Sequence, residues 1–376
     1  MKVGLVIDDR ISRPGGVQEY VLGLYDFLKN KGHQPIIFTS GRYTKKQKQG
    51  RRIISFGKTF DLPGGTQKGI SLTLGQGKKI KRVLEREKPE ILHIQGMPGP
   101  LGLNFLQHSS SVNIMTFHIA HEGILVDFLA KTLAPLWEEM GKNLHGKIAI
   151  SKVAADYAQK FSPGPYKIIP IGIDLKRFRP GVPKIKKFKD KKVNILFVGR
   201  LDKRKGVEYL LKAFRRLSQF QPNIRLIIVG DGLQKQKARD YVREEELKNV
   251  VFTGSVTRRD LPAYYATGDI FCSPATHGES FGVILLEAMS VGLPVVAFDN
   301  PGYRNLFPDF ARGFLVPNKS VSALTQALLI LATTPNLRRE LGQKNRRYAN
   351  GFSWPRVGNE ILKFYQYLLQ QFPSRG

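Results

Sequence analysis

Residues 269–298 read DIFCSPATHGESFGVILLEAMSVGLPVVAF. The opening DIFCSP is a short apolar run of the kind that forms a strand, and ATHGES supplies loop residues. FGVILLEAMSV then runs without a break to Gly292, which closes a helix. PVVAF (294–298) is apolar again and reads as the next strand. A strand, helix and strand in so short a space make a βαβ unit, and its two strands must be parallel. In such a sheet a ligand meets the carboxyl end of the first strand and the amino end of the helix. Gly282 falls at that helix start, and two carboxylates, Glu279 and Glu287, lie on either side of it.

The same alternation runs outward in both directions. VNILFVG (193–199), RLIIVG (225–230), VVFTG (250–254), DIFCSP (269–274), PVVAF (294–298) and GFLVP (313–317) form one strand series with helices between them. An earlier series comprises KVGLVID (2–8), PIIFTS (35–40), ILHIQG (91–96), NIMTFH (113–118) and KIAIS (147–151). Their continuous apolar character suits a parallel sheet covered on both faces. Between the first two, Val17, Tyr20, Val21, Leu24 and Leu28 recur at helical spacing over 17–31. Two βα series predict an α/β chain of two Rossmann-like, doubly wound domains. Residues 176–192 carry nine basic residues, one acid and two prolines, which reads as the joint. The expected domains are 1–175 and 176–356, with a final amphipathic helix over 357–376 returning to the first.

Composition sets the outer limits. The 376 residues are 41% hydrophobic, enough for sizeable cores. Cys272 is the single cysteine, so an intramolecular disulfide is impossible, and a reducing, cytoplasmic setting fits. MKVGLVIDD reads as a first strand rather than a signal peptide. No apolar run approaches the roughly 20 residues that span a bilayer. The formal charge of +30 points to anionic partners or to a generally basic surface.

Four stretches carry candidate chemistry. Around Gly282, amides of Phe281, Gly282, Val283 and Ile284 at a helix start can bind phosphate without a lysine. From Gly282 to Glu287 is about 7.5 Å of helix, enough to span a diphosphate. Glu287 would then meet an attached ribose, and Glu279 the sugar on the other side. On spacing alone, solvated surface acids explain the two carboxylates equally well. VGRLDKRKG (198–206) places Arg200 and Lys205 at the same sheet edge, where cations can neutralise a diphosphate as it leaves. Gly15-Gly16 follows the first strand and permits close approach of backbone to phosphate, although it is not a dinucleotide fingerprint. His118 ends a strand in TFHIAHEG, a position where a lone histidine is more often structural than functional, and the neighbouring His121 and Glu122 lack metal-ligand spacing.

Together these stretches resemble glycosyltransferase family 4, retaining enzymes of the GT-B architecture, in which two Rossmann-like domains face each other across a cleft. The resemblance rests on GGVQEY, TFH, PIGID, GRLDKRKG, VGDG, FTGSV and GESFGVILLEAMSVGLPVVA, and so covers nearly the whole chain. Glu279 and Glu287 match the family's E-x7-E motif. Within the family, PGGVQ, TFH and HGESFGVILLEAM look most like phosphatidylinositol mannosyltransferases. The resemblance implies that Gly16, Arg200 and Lys205 hold the donor diphosphate and that Glu287 holds the ribose. It implies that Glu279, with backbone from Phe281 to Val283, holds the transferred sugar, that Val256 meets the base, and that His118 lies near the sugar and the acceptor hydroxyl. It also implies a GDP- or UDP-hexose donor and a hydroxyl acceptor. No D-x-D motif is present, so no metal and no cofactor are expected. PIGID carries Ile171 where many members have Asn.

Two other readings stay open. One is a nucleic-acid-binding pair of Rossmann-like domains, which the charge favours but which has no P-loop, zinc pattern or RNA-recognition motif behind it. The other is a sugar-nucleotide sensor without catalysis. Finally, RYTKKQKQGRR (42–52) holds six basic residues and no acid. Over 125–140, Leu125, Phe128, Leu129, Leu136, Trp137 and Met140 recur at roughly helical spacing. Both stretches suit peripheral association with an anionic membrane face and an anionic lipid acceptor, as well as they suit a solvated loop and a buried helix.

Overall fold

The computed structural model describes residues 1–12, 15–41, 43, 50–61, 69–72, 75–96, 99–118 and 141–372. It divides into two compact units, Met1–Gly172 with Trp354–Gly376, and Ile173–Ser353. The sequence placed these boundaries at 175/176 and 356/357.

The first unit is built on β1 (Lys2–Ile7), α1 (Gly16–Asn30), β2 (Gln34–Ser40), β3 (Ile53–Phe56), a hairpin β4 (Lys58–Asp61) and β5 (Gly69–Leu72), α2 (Gly77–Glu87), β6 (Ile91–Gln95), α3 (Pro100–His108), β7 (Val112–Phe117), β8 (Gly146–Ala149), α4 (Lys152–Ala158) and β9 (Lys167–Ile168). Seven strands form one parallel sheet in the order β3-β2-β1-β6-β7-β8-β9. β1, β2, β6 and β7 are buried along almost their whole length, which explains their lack of alternation. On one face Val6, Ile36, Leu92 and Phe105 join a single core, with the Phe38 and Phe105 rings stacked at 4.8 Å.

The C-terminal helix Trp354–Gln371 closes this unit by burying Val357, Ile361, Tyr365 and Leu368. It approaches α1 closely because glycines stand on both surfaces. A Cβ on Gly23 would lie 2.2 Å from the Trp354 ring, and one on Gly358 2.4 Å from Phe27. At roughly 1.5–3 kcal/mol per fully buried apolar side chain, the helix is an integral layer of the unit.

The second unit runs β10 (Val193–Val198), α5 (Val207–Phe220), β11 (Ile224–Val229), α6 (Lys235–Glu244), β12 (Val250–Gly254), α7 (Leu261–Thr267), β13 (Ile270–Ser273), α8 (Val283–Val291), β14 (Val295–Phe298), α9 (Pro301–Arg304), β15 (Leu315–Val316), α10 (Val321–Thr333) and α11 (Pro335–Ala349). Its six strands are parallel in the order β12-β11-β10-β13-β14-β15. Both sheets reverse their direction of growth beside the first strand, at β1/β6 and at β10/β13. Those reversals are the switch points where such sheets bind ligands.

The basic stretch 176–192 is not a loose joint. Phe178 is buried with its ring 5.5 Å from that of Tyr265. Phe188 is buried beneath the Arg225 guanidinium at 5.2 Å. Its aromatics pack inward while most of its lysines face water, so charge count alone misreads it as linker.

Candidate active site

The best-defined cluster sits at the β10/β13 switch point of the second unit. After β10 the chain is tied to its neighbour by Gly199 N–H to the Val229 carbonyl (3.0 Å) and Leu201 N–H to the Asp231 carbonyl (2.9 Å). Asp202 then caps a single 3₁₀ turn, Lys203–Lys205, by accepting from the Lys205 amide at 3.1 Å. Gly206 ends that turn at φ 69°, and a Cβ there would lie 2.0 Å from the Pro274 carbonyl oxygen. Only glycine allows both the left-handed backbone and that approach. The turn therefore presses directly on the segment after β13.

That contact assembles the charges. Glu279 Oε1 accepts from Lys205 Nζ at 2.6 Å and from Arg204 Nη1 at 2.8 Å. Arg204 also donates to the Gly278 carbonyl at 3.2 Å, and its own carbonyl accepts from the Thr276 amide at 2.8 Å. Arg200 and Arg204 both lie beside Asp202, at 3.3 and 3.5 Å. Three cations thus surround two carboxylates, and the excess is positive. Lys205 and Glu279 are nearly buried, with side-chain exposures of 11% and 10%, whereas Arg200 is 42% exposed.

The carboxylate-bearing loop is fixed from the other side as well. Asn300 Nδ2 donates to the Ala275 carbonyl at 2.9 Å, and Asn318 Nδ2 to that of Thr276 at 2.8 Å. Tyr303, fully buried, shares a 2.7 Å hydrogen bond with Ser273. Burial, and next Glu279, raise its phenol far above the usual range, so it stays neutral.

Gly282 begins α8 at φ 100°. Phe281 is buried, while Val283 and Ile284 are half-buried in the first turn, where amides have no partner within the helix. The helix start adds its own positive end to the cluster. Glu287, little more than one turn on, is buried and accepts from Tyr265 Oη at 2.6 Å. Burial first and Glu287 second hold that phenol protonated. Val256 lies half-buried in the loop after β12.

In the first unit, Asp8 directly follows β1 and accepts from the amides of Gly99 (2.9 Å) and Leu101 (2.8 Å), capping α3. Burial raises its carboxyl above the ordinary range, although those amides work against the shift. Gly15 is extended, and its carbonyl accepts from the Glu19 amide at 3.0 Å, starting α1. Gly16 has nothing within 4 Å of where a Cβ would stand, which leaves its backbone open to approach. His118 is buried one residue beyond β7, with Nε2 2.9 Å from Gln95 Oε1 and the Tyr20 ring edge-on at 4.8 Å. Burial takes its imidazole down to about 3.

The structure thus brings Arg200, Lys205, Glu279, Phe281, Gly282, Val283 and Ile284 together at one switch point, with Gly15, Gly16 and His118 at the corresponding end of the other sheet. Sequence reading missed Arg204, Asn300, Gly302 and Tyr303. Arg204 carries the only local signal, as the middle cation of DKRKG. Lys45, Lys46, Lys48, His121, Glu122 and the segment 125–140 lie outside the described residues. Among the described residues, no group of three or more His, Cys, Asp or Glu side chains could hold a metal ion, and no helix is long and apolar enough to cross a membrane.

Two doubly wound parallel units, one with a cationic cluster at a helix start on its switch point, form the build of a GT-B glycosyltransferase. Residues 14–177 match the Glycosyltransferase Family 4 description, and residues 179–348 match Glycosyl transferases group 1. The chain belongs to the family 4 glycosyltransferases. It is 27% identical over 373 residues to the phosphatidyl-myo-inositol mannosyltransferase of Mycolicibacterium smegmatis, covering 97% of this chain and 94% of the relative. It is 29% identical over 390 residues to the enzyme of that name from Propionibacterium freudenreichii, covering 100% and 98%. Its fold matches a glycosyltransferase from Rickettsia africae with a TM-score of 0.77 at 20% identity, over 98% of both chains. It also matches sucrose-phosphate synthase from Thermosynechococcus elongatus, with a TM-score of 0.76 at 21% identity over 98% and 99%.

Proposed function

We propose that this chain is a retaining hexosyltransferase that takes mannose from GDP-mannose and places it on a hydroxyl of an anionic inositol lipid at a membrane surface. The observation that carries the transferase reading is the Arg204–Lys205–Glu279 cluster beside the start of α8. The full-length likeness to phosphatidyl-myo-inositol mannosyltransferases supports the sugar and the lipid.

In this reading Arg200, Lys205 and the α8 amides hold the diphosphate, Glu279 the sugar hydroxyls and Glu287 the ribose. The C1–O bond to the diphosphate breaks, and the acceptor oxygen bonds to C1 on the same face. The acceptor's proton passes to a phosphate oxygen of the leaving nucleoside diphosphate. The cations stabilise the charge that develops on that leaving group, so no metal is required.

The test is a transfer screen of the purified protein with GDP- and UDP-hexoses, with and without chelator, against an inositol lipid and a soluble polyol. Chelator-resistant transfer from GDP-mannose to the lipid is expected. No transfer from any sugar nucleotide would refute the reading. Glu287→Ala should weaken both GDP-mannose and free GDP, and Glu279→Ala only the sugar nucleotide, by calorimetry. Equal losses toward free GDP would undo that division.

Membrane contact would rest on the lysines of 42–52. Arg51 and Arg52 are already engaged, Arg51 with Asp26 at 2.6 Å and Arg52 with Glu87 at 2.7 Å. The expected result is salt-sensitive binding to phosphatidylserine vesicles and little to neutral ones, with about 1 kcal/mol lost per lysine when Lys45, Lys46 and Lys48 become Gln. A wild-type protein that ignores anionic vesicles at low salt would point to a soluble acceptor.

A further inference from the structure

Gln95 is buried at the carboxyl end of β6, next to the strand that delivers His118. Its amide nitrogen lies 3.4 Å from the His93 carbonyl, two residues back, which can only accept. That contact turns the amide oxygen toward His118, where it lies 2.9 Å from Nε2. An amide oxygen accepts, so Nε2 must carry the proton. Nδ1 of the neutral ring is then a bare acceptor, and among the described residues nothing donates to it.

The surroundings keep the arrangement from relaxing. His93 is itself locked, with Nδ1 2.6 Å from Tyr365 Oη and Nε2 2.6 Å from Thr116 Oγ1. The Tyr20 ring packs edge-on against His118 and blocks rotation of the imidazole. Burial holds both histidines down to about 3, so His118 stays neutral across the working range of pH.

We infer that Gln95 is a positioning residue. It fixes His118 as the Nε2–H tautomer and so presents Nδ1 as a hydrogen-bond acceptor to a substrate hydroxyl. This rests on the transferase reading for the identity of the hydroxyl, which belongs either to the transferred sugar or to the acceptor. It does not rest on that reading for the tautomer, which the side chains of this unit set by themselves.

Nitrogen-15 NMR of the histidine side chains in the full chain reads the tautomer directly, with His118 assigned by the signal lost in His118→Asn. The wild type should show a protonated Nε2 and a bare Nδ1. The Nδ1–H form would overturn the inference without any variant being made. Gln95→Met, which keeps the bulk but not the amide, should lose the fixed tautomer and lower transfer roughly three- to tenfold, the worth of one neutral hydrogen bond. If the sugar supplies the hydroxyl, the sugar nucleotide weakens while the free nucleoside diphosphate does not. If the acceptor supplies it, donor affinity holds and the acceptor KM rises. A folded Gln95→Met protein with unchanged transfer and affinities refutes the role, whereas a wild-type protein that transfers nothing refutes the transferase reading alone.

Discussion

Lys205→Ala should cut transfer by about 10²–10³-fold, the cost of removing one preorganised group that meets developing charge in a protected site. Lys205 is buried, and its ammonium is fixed at both ends. The 3₁₀ turn capped by Asp202 sets its backbone, and Glu279 at 2.6 Å sets its head. A surface lysine would be replaced by water at little loss, but this one has no such substitute. Donor affinity should fall as well, by about 1.5–3 kcal/mol for the lost charge-assisted contact. Arg204→Ala should do less, because Lys205 still holds Glu279 and the loss falls on the sugar rather than the diphosphate. Transfer assays of both variants, with calorimetry against sugar nucleotide and free nucleoside diphosphate, separate the two roles. Lys205→Ala at more than a third of wild-type turnover would remove it from the reaction.

The strands of both sheets were legible because a parallel strand buried on both faces has nothing polar to interrupt it. VNILFV and IRLIIV leave no other reading. β3, by contrast, is only IISF at the end of a basic run, and its place beside β2 depends on pairing that no local pattern announces. Glu279 and Glu287 were legible by spacing, but their partners were not. Tyr265 lies 22 residues before Glu287, and Arg204 lies 75 before Glu279. That two of three adjacent cations, Arg204 and Lys205, turn inward to Glu279 follows from the contact of Gly206 with the Pro274 carbonyl, a close approach that appears only once both strands are in place. Arg51 and Arg52 show the same limit from the other direction. Their charges counted toward a free basic patch until the fold supplied Asp26 and Glu87.

Gly302 carries the second large effect, through packing alone. It lies in the short helix α9, and a Cβ there would stand 2.1 Å from the carbonyl oxygen of Glu279 and 2.5 Å from its carbonyl carbon. Something must move on the order of 1 Å, since packed interiors leave no slack for an added methyl group. The α9 side is the fixed one. Asn300 caps α9 by accepting from the Tyr303 amide at 3.0 Å and also donates to Ala275, while Tyr303 is anchored on Ser273 in the core. Glu279 must therefore shift relative to Lys205 and Arg204. A displacement of that size near reacting groups costs about 10²-fold. Gly302→Ala should accordingly lose about that factor in transfer, with roughly 1–3 kcal/mol of stability. It should weaken sugar nucleotide more than free nucleoside diphosphate, because the phosphate-holding groups stay in place. Gly313→Ala, in the same unit with nothing within 4 Å of its Cβ position, serves as the control and should behave as wild type. A Gly302→Ala protein that keeps transfer within threefold of wild type would show that the Glu279 backbone has room the packing denies it, and would loosen the link between this loop and the sugar.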